Sequence, residues 1–285
     1  QSNLNNQVLL VNIQGSFDAG DVVTDGTNTV TLSDNGAPAI AVAKIDGTWT
    51  SPDTTPVVID GWTTDADHYI RIYTTETARH NGKWDESAYR LYNTGWLTIF
   101  RILEDYVRVE GLQIDAAGEN TNGLSVGSLS GESSSEVRIS HNILRQSYTG
   151  NNRNGIGCGS YSTTKIWNNI VYGFGYAGIR QPGWDNYATY IVYNNTVVDC
   201  GTNFSIGGNT NNTTLYLKNN LAQGGTTDYS VISTATTSNN LSEDNTSPNT
   251  EHRNKTVSFA DEANDDFHLA SNDTCAKDSG VDLFT

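Results

Sequence analysis

Between Val137 and Ala222 the chain repeats one phrase four times: a hydrophobic residue, two variable residues, an Asn, one more variable residue and an apolar or small one. The copies begin at Ile139, Ile166, Val192 and Leu217 and carry Asn142, Asn169, Asn195 and Asn220. A degenerate fifth copy holds Asn240, and an earlier relative, Val109–Ile114, has Leu112 where the others have Asn. Successive anchors at 112, 142, 169, 195, 220 and 240 are 30, 27, 26, 25 and 20 residues apart. A short motif recurring at such a period is the mark of a solenoid, whose repeats bury their apolar faces against each other.

A second short run rich in Gly and apolar residues follows each phrase, at 123–128, 155–160, 178–182 and 203–208. Tyr69–Tyr73 and Leu97–Ile102 alternate strictly, one face inward and one outward, and almost no helical periodicity occurs. Helical repeats are therefore excluded, and the leucine spacing of a horseshoe is missing. The pattern predicts a parallel β-helix with equivalent strands stacked about 4.8 Å apart. Ile139, Ile166, Val192 and Leu217 then form one inward column. Asn142, Asn169, Asn195, Asn220 and Asn240 turn inward at a bend and hydrogen-bond their counterparts in a ladder. Such a ladder satisfies buried amides that are otherwise costly.

The Ile-x-x-Asn-x-Ile/Val phrase resembles the repeat of right-handed parallel β-helix, pectate-lyase-like proteins of the bacterial secreted or phage structural type. The ending from Asp266-Phe-His-Leu to Asp278-Ser-Gly280 is similar to the closing coil of such chains. The resemblance covers about 107–285 and implies an all-β fold, a right-handed parallel β-helix over 51–285 with 251–285 as its closing C-terminal coil. The fold hosts lyases, hydrolases, epimerases, phage tailspikes and adhesins, so activity has to be argued from a site.

Residues 1–50 have a different texture. Short strands at Val8–Ile13, Val22–Val23 and Val30–Leu32, separated by Gly and Asp turns, predict a small β-rich element. Gly15–Val23 resembles a Gly-x-Phe-x-x-Gly-acid-x-Val phrase of phage structural proteins. No starting Met, signal-peptide pattern or membrane-length apolar run is present, so the chain reads as processed or excised.

The formal charge of -16 disfavours nucleic acid as a partner, and also a polyanionic glycan unless cations bridge the two or a local basic patch exists. Cys158, Cys200 and Cys275 make no disulfide framework and read as buried free thiols. No cofactor is expected. Ca²⁺ on the acidic run 261–266 is the one cation the composition suggests, and its spacing matches no cation loop.

The enzymes of the resembling superfamily generally work in a groove along one sheet. Taking the second-run strands as that sheet, Leu124, Val126, Ile156, Cys158, Phe204 and Ile206 point in. Ser125, Gly157, Arg180 and Ser205 then point out. Arg180 is the single large cation there, and the lyases of this fold imply such a residue as the base of a β-elimination. Tyr148, Arg153, Tyr161, Tyr176, Trp184, Asp185 and Tyr187 on nearby turns suit sugar rings, whose C–H surface stacks on aromatic faces. The chain departs from the lyase pattern in having no acidic cluster on adjacent coils near Arg180. His141 is expected to cap a turn. The loop 78–85 is expected as an excursion from the body, with His80 exposed and without a partner.

Two functions follow. One is an extracellular or virion-surface solenoid with a structural or attachment role, binding a polysaccharide or cell-surface glycan. Homo-oligomers or filaments would form through its open ends. The other is a polysaccharide lyase or glycoside hydrolase acting at Arg180.

Overall fold

The computed structural model describes residues 22–24, 29–31, 40–95, 98–127, 135–148, 150, 153–181, 187–207 and 212–283. Internal contacts separate two units, 1–39 and 40–285. In the first, Val22–Thr24 pairs antiparallel with Thr29–Thr31. The expected strand Val8–Ile13 lies outside the described residues, as does most of the Gly15–Val23 phrase. The second unit is an all-β parallel solenoid of about 7 turns, as the repeat predicts. It begins at Ala41–Ile45, paired in parallel with Ile70–Thr74.

Each complete coil contributes one strand to each of three parallel sheets, the first coil lacking a sheet B strand and the last a sheet C strand. In one coil these are Glu136–Ser140 in sheet A, Ile143–Arg145 in sheet B and Asn154–Gly157 in sheet C. Equivalent residues stack in register. Val109, Ile139, Ile166, Val192 and Leu217 form one column of sheet A, all at most 1% exposed. Leu91, Ile114, Leu144, Val171, Val197 and Ala222 form that of sheet B. Phe100, Leu124, Ile156, Ile179, Phe204 and Tyr229 form that of sheet C. Each buried aliphatic contributes about 1.5–3 kcal/mol, so the columns carry most of the stability.

The bend from sheet A to sheet B explains why Asn comes in pairs. The first position of the bend has left-handed backbone: Gly111, His141, Asn168, Asn194, Asn219 and Asn239 have φ between 51° and 80°. Gly adopts this conformation freely, and Asn and His tolerate it better than other side chains. The second position is the ladder. Asn142 Oδ1 accepts from the Leu112 backbone N–H at 2.9 Å, and Asn169 Oδ1 accepts from both the backbone and side-chain N–H of Asn142 at 3.0 Å. The same pair of bonds links Asn169 to Asn195, Asn195 to Asn220 and Asn220 to Asn240. Each Nδ2 also donates to a sheet A carbonyl one coil back, as Asn169 does to Ile139 at 3.0 Å. The ladder runs one rung further than the repeat, because Asn249 Oδ1 accepts from both N–H groups of Asn240.

That extra rung belongs to a loop that closes the last coil. Asp244 and Thr246 side chains accept from the backbone N–H groups of Asp228 and Tyr229, on the edge strand of sheet C. Ser247 Oγ donates to the Asn240 carbonyl. Edge groups that would otherwise template another strand are thereby occupied.

Sheet B is covered on its outside. Phe267, from an antiparallel pair formed by Phe259–Asp261 and Asp266–Leu269, packs with Trp84, Ile143, Tyr172 and Val198. Val257 packs on Leu221 and Leu241. The loop 78–85 is not an excursion: it lies on the same sheet, with Asp85 and Gln113 exchanging two hydrogen bonds at 2.7 and 2.8 Å. Arg145 binds both coverings, reaching Asp115 at 2.8 Å, Asp265 at 3.2 Å and Glu86 at 3.3 Å above the Trp84 ring.

Asn168 and Asn169 separate the two roles within one bend. Asn169→Ala removes the acceptor of two Asn142 donors and is expected to cost about 2–4 kcal/mol. Asn168→Ala forces a Cβ-bearing residue without local compensation into left-handed backbone and should cost about 1 kcal/mol, whereas Asn168→Gly should cost nothing. Urea midpoints at constant slope measure this. An Asn169→Ala midpoint equal to that of Asn168→Gly would show that the ladder adds no stability.

Candidate functional site

With sheet B covered, sheets A and C remain as faces for a ligand among the described elements. Sheet C is built from strands of small residues, Asn122–Val126, Asn154–Gly157, Ala177–Gln181 and Thr202–Ile206. Leu124, Val126, Ile156, Cys158, Phe204 and Ile206 are buried, as alternation predicts. The outward row is Arg101, Ser125, Gly157, Arg180, Ser205 and Ser230, in strict register. Arg180 therefore stands between Gly157 and Ser205, but it is not the single large cation expected there, since exposed Arg101 stands on the same row three strands away.

The expected site residues fall on the two borders of this sheet. Tyr148, Arg153 and Tyr176 lie on the turns from sheet B to sheet C. Arg180 reaches the Tyr176 ring, its guanidinium carbon 4.7 Å from the centroid, a cation–π distance. Tyr148 is exposed, and Arg153 is held at its carbonyl by the Tyr176 N–H while its buried Nε has no partner. Tyr161 and Tyr187 occupy equivalent places on the turns from sheet C to sheet A. Their rings stack at 6.2 Å with an interplanar angle of 21°. Trp184 and Asp185 lie outside the described residues.

Beside Arg180 is a shallow depression of about 160 Å³, lined by Asn122, Ser125, Asn154 and Gly157. Asn122 Oδ1 accepts from the backbone N–H of Asn154 at 3.1 Å, and Asn154 Oδ1 is left without a partner. A cleft for a whole small molecule is commonly about 300 Å³ or more, so this one suits the edge of a ligand lying along the surface. The sheet C strands present no outward carboxylate: the one acid among them, Asp228, is buried and bonded to Asn203 at 2.7 Å. Among the described residues no three or more His, Cys, Asp or Glu side chains converge as metal ligands. In the acidic run, Asn264 bonds Asp261, Asp265 pairs with Arg145 and Asp266 with His268.

Sheet A carries a row that the sequence reading did not single out. Arg71, Arg108, Arg138 and Lys165 stand in register on four successive strands, facing outward. Their signal was available: each immediately precedes an inward hydrophobic of its strand, Ile72, Val109, Ile139 or Ile166. Asn249 gave no such signal, since it lies in a loop with no repeat phrase around it.

Histidines and cysteines bear on the earlier expectations. His80 is not exposed and not without a partner. Its Nδ1 accepts from the Gly82 N–H at 3.2 Å, so the proton sits on Nε2, which donates to the His141 carbonyl at 2.9 Å. Burial pushes its pKa down to about 4. His141 holds the turn position, with its Nε2 3.0 Å from Asn168 Nδ2. Cys158 and Cys200 are free, buried thiols whose pKa burial pushes up to about 12, whereas Cys275, expected to be buried too, is free and only half-buried. Thiolate chemistry is therefore closed to Cys158 and Cys200.

Comparison with known proteins gave no match: no family model, no curated protein and no solved structure is significantly similar to this chain. The β-helix that the pectate-lyase-like resemblance implies is present, and the reading of function rests on the faces just described.

Two outcomes follow. Under native conditions an aromatic disulfide reagent should modify Cys275 alone, with Cys158 and Cys200 reacting only on unfolding; three thiols titrating at once in the native protein would contradict their burial. His80 is neutral in the folded chain, so stability is complete above pH 6.5 and falls as the pH drops toward 4, where the unfolded chain takes a proton that the folded one refuses. His80→Gln should flatten the stability profile across that window. An unchanged slope would show that His80 is not the group responsible.

Proposed function

We propose that this chain is a non-catalytic, glycan-binding β-solenoid, serving as a rigid attachment element outside the cell or on a virion surface. The observation that carries the reading is the Tyr161–Tyr187 pair. Both residues have left-handed backbone, with φ of 58° and 67°, and both are exposed, at 37% and 65%. Bulky residues in that conformation cost of order 1 kcal/mol or more each. An exposed ring returns little of that through packing, so the fold alone gives no reason to keep the pair.

A stacked, outward-facing aromatic platform does suit a sugar ring, whose apolar C–H face it covers while the hydroxyls keep polar partners. Arg180, Asn154 and the Ser and Gly floor of sheet C provide such partners within reach of a chain that lies flat. Hydrolysis of a glycosidic bond calls on a pair of carboxyl groups flanking it, and the sheet C strands present none outward. Binding without cleavage fits this surface better.

The test is calorimetric titration with a panel of neutral and uronate-containing oligosaccharides, run beside assays for unsaturated products and new reducing ends. The expected result is binding to at least one glycan without turnover, weakened about tenfold in Tyr187→Ala as one stacking contact is lost. Cleavage that disappears in Arg180→Ala would replace this reading with a lyase. Binding by Tyr161→Ala/Tyr187→Ala equal to that of the parent chain would remove the platform from the function.

A further inference from the structure

The whole chain is strongly acidic, with 32 Asp and Glu against 16 Lys and Arg. Against that balance, sheet A concentrates cations in a single column. Arg71, Arg108, Arg138 and Lys165 are register partners on adjacent strands, one per coil. Adjacent strands are about 4.8 Å apart, so the four heads span about 14 Å along the rod. The side chains of Arg71, Arg138 and Lys165 stay 41%, 36% and 32% exposed.

Carboxylates neutralise only part of this column. Glu110 pairs with Arg71 at 3.2 Å and with Arg79 at 2.8 Å. Burial alone would raise the Glu110 carboxyl, and the two guanidinium groups outweigh it and hold it below its ordinary value. Glu136 pairs in the same way with Arg138 and Lys165. Five cations therefore meet two carboxylates. Arg108, in the middle, makes no ion pair among the described residues and lies over the Tyr69 ring at 3.3 Å. Partial burial, then the like charges of Arg138 and Arg71, pull its pKa below the ordinary value. Stacked like charges of this kind are unfavourable until an anion joins them.

Two residues along the strand from the cations is a second row of Tyr73, Glu110, Ser140 and Trp167, which Tyr193 continues one coil past Lys165. The surface thus offers one charge per coil, with aromatic rings beside the column at its two ends, Tyr73 next to Arg71 and Trp167 next to Lys165.

We propose that this face of sheet A is a docking strip for a linear acidic polysaccharide, lying along the rod with one carboxylate or sulfate per sugar over the Arg71–Lys165 column. The spacing favours such a chain, because a pyranose polymer advances by a similar distance per residue. A nucleic-acid duplex presents a charge about every 1.7 Å of its axis, far denser than this comb. At the Lys165 end of the column a sugar ring then meets Trp167, and the next one Tyr193, through their C–H faces. The net negative charge of the molecule does not prevent this, since at about 0.15 M salt charges more than about 8 Å away are screened while direct contacts are not. This strip is separate from the tyrosine platform and does not rest on it: the panel above tests the platform, and the polyanion series tests the strip.

The probes are heparin, polygalacturonate, uncharged dextran and a single-stranded thymidine oligonucleotide, titrated at about 0.15 M salt. The parent chain should bind heparin or polygalacturonate and not dextran. Arg108→Ala should weaken that binding roughly tenfold, the loss of one charge-assisted contact, and Arg108→Lys should recover most of it. Lys165→Ala should weaken it independently, and Lys255→Ala, which removes an exposed charge on the C-terminal segment, should match the parent. Thermal unfolding of each variant establishes that it is folded. No binding of either acidic polysaccharide, or equal binding by Arg108→Ala and Lys255→Ala, would overturn the proposal. Tighter binding of the oligonucleotide than of both polysaccharides would overturn the assignment to a glycan.

Discussion

The amide ladder is the interaction on which the rest of this solenoid depends. A parallel coil must turn sharply between sheet A and sheet B, and the turn buries backbone N–H groups that no strand can pair. Each ladder Asn solves this for its neighbour, accepting from a backbone and a side-chain N–H in the adjacent coil and donating back to a carbonyl. Because every rung needs the next, the bend has one geometry, and that geometry aligns the strands on both sides of it. The hydrophobic columns of all three sheets then follow in register.

Strict register has a second consequence outside the barrel of coils. A side chain's lateral neighbours are the same position one coil earlier and later, so a surface property becomes a row. On sheet B the rows are apolar or ion-paired and are covered by the loop 78–85 and by Val257 and Phe267. On sheet C the row is Ser and Gly with Arg101 and Arg180 rising from it. On sheet A it is a column of cations that would repel one another were it not for Glu110 and Glu136. One face is thus closed by the chain itself, while the other two present repeated chemistry at the strand spacing.

Much of the architecture was legible in the repeat. Asn142 to Asn240, the inward hydrophobics and the outward place of Arg180 all follow from a phrase with fixed internal spacing, since spacing within a strand decides which way a side chain points. The rung at Asn249 and the covering of sheet B were not legible, because both join residues with no common local pattern. His80 shows the same limit: it looked like a loop histidine, yet the Gly82 N–H and the His141 carbonyl, 61 residues away, hold it in place. The pairing of Asn residues was visible without its meaning, as only the backbone angles distinguish the left-handed residue from the ladder residue.

The candidate site divides along the same line. Tyr148, Tyr161, Tyr176 and Tyr187 could be named as turn residues, and folding separates them onto two borders of sheet C, putting Tyr176 under Arg180 and stacking Tyr161 on Tyr187. By itself the sequence determined the coil, its core and its ladder, because those depend on local alternation and on a repeat length that any reader of the chain can count. Only the tertiary structure decided which faces are covered, which cations share a column and which tyrosines meet. Those are relations between residues a coil or more apart, set by strand register and by where the C-terminal segment packs.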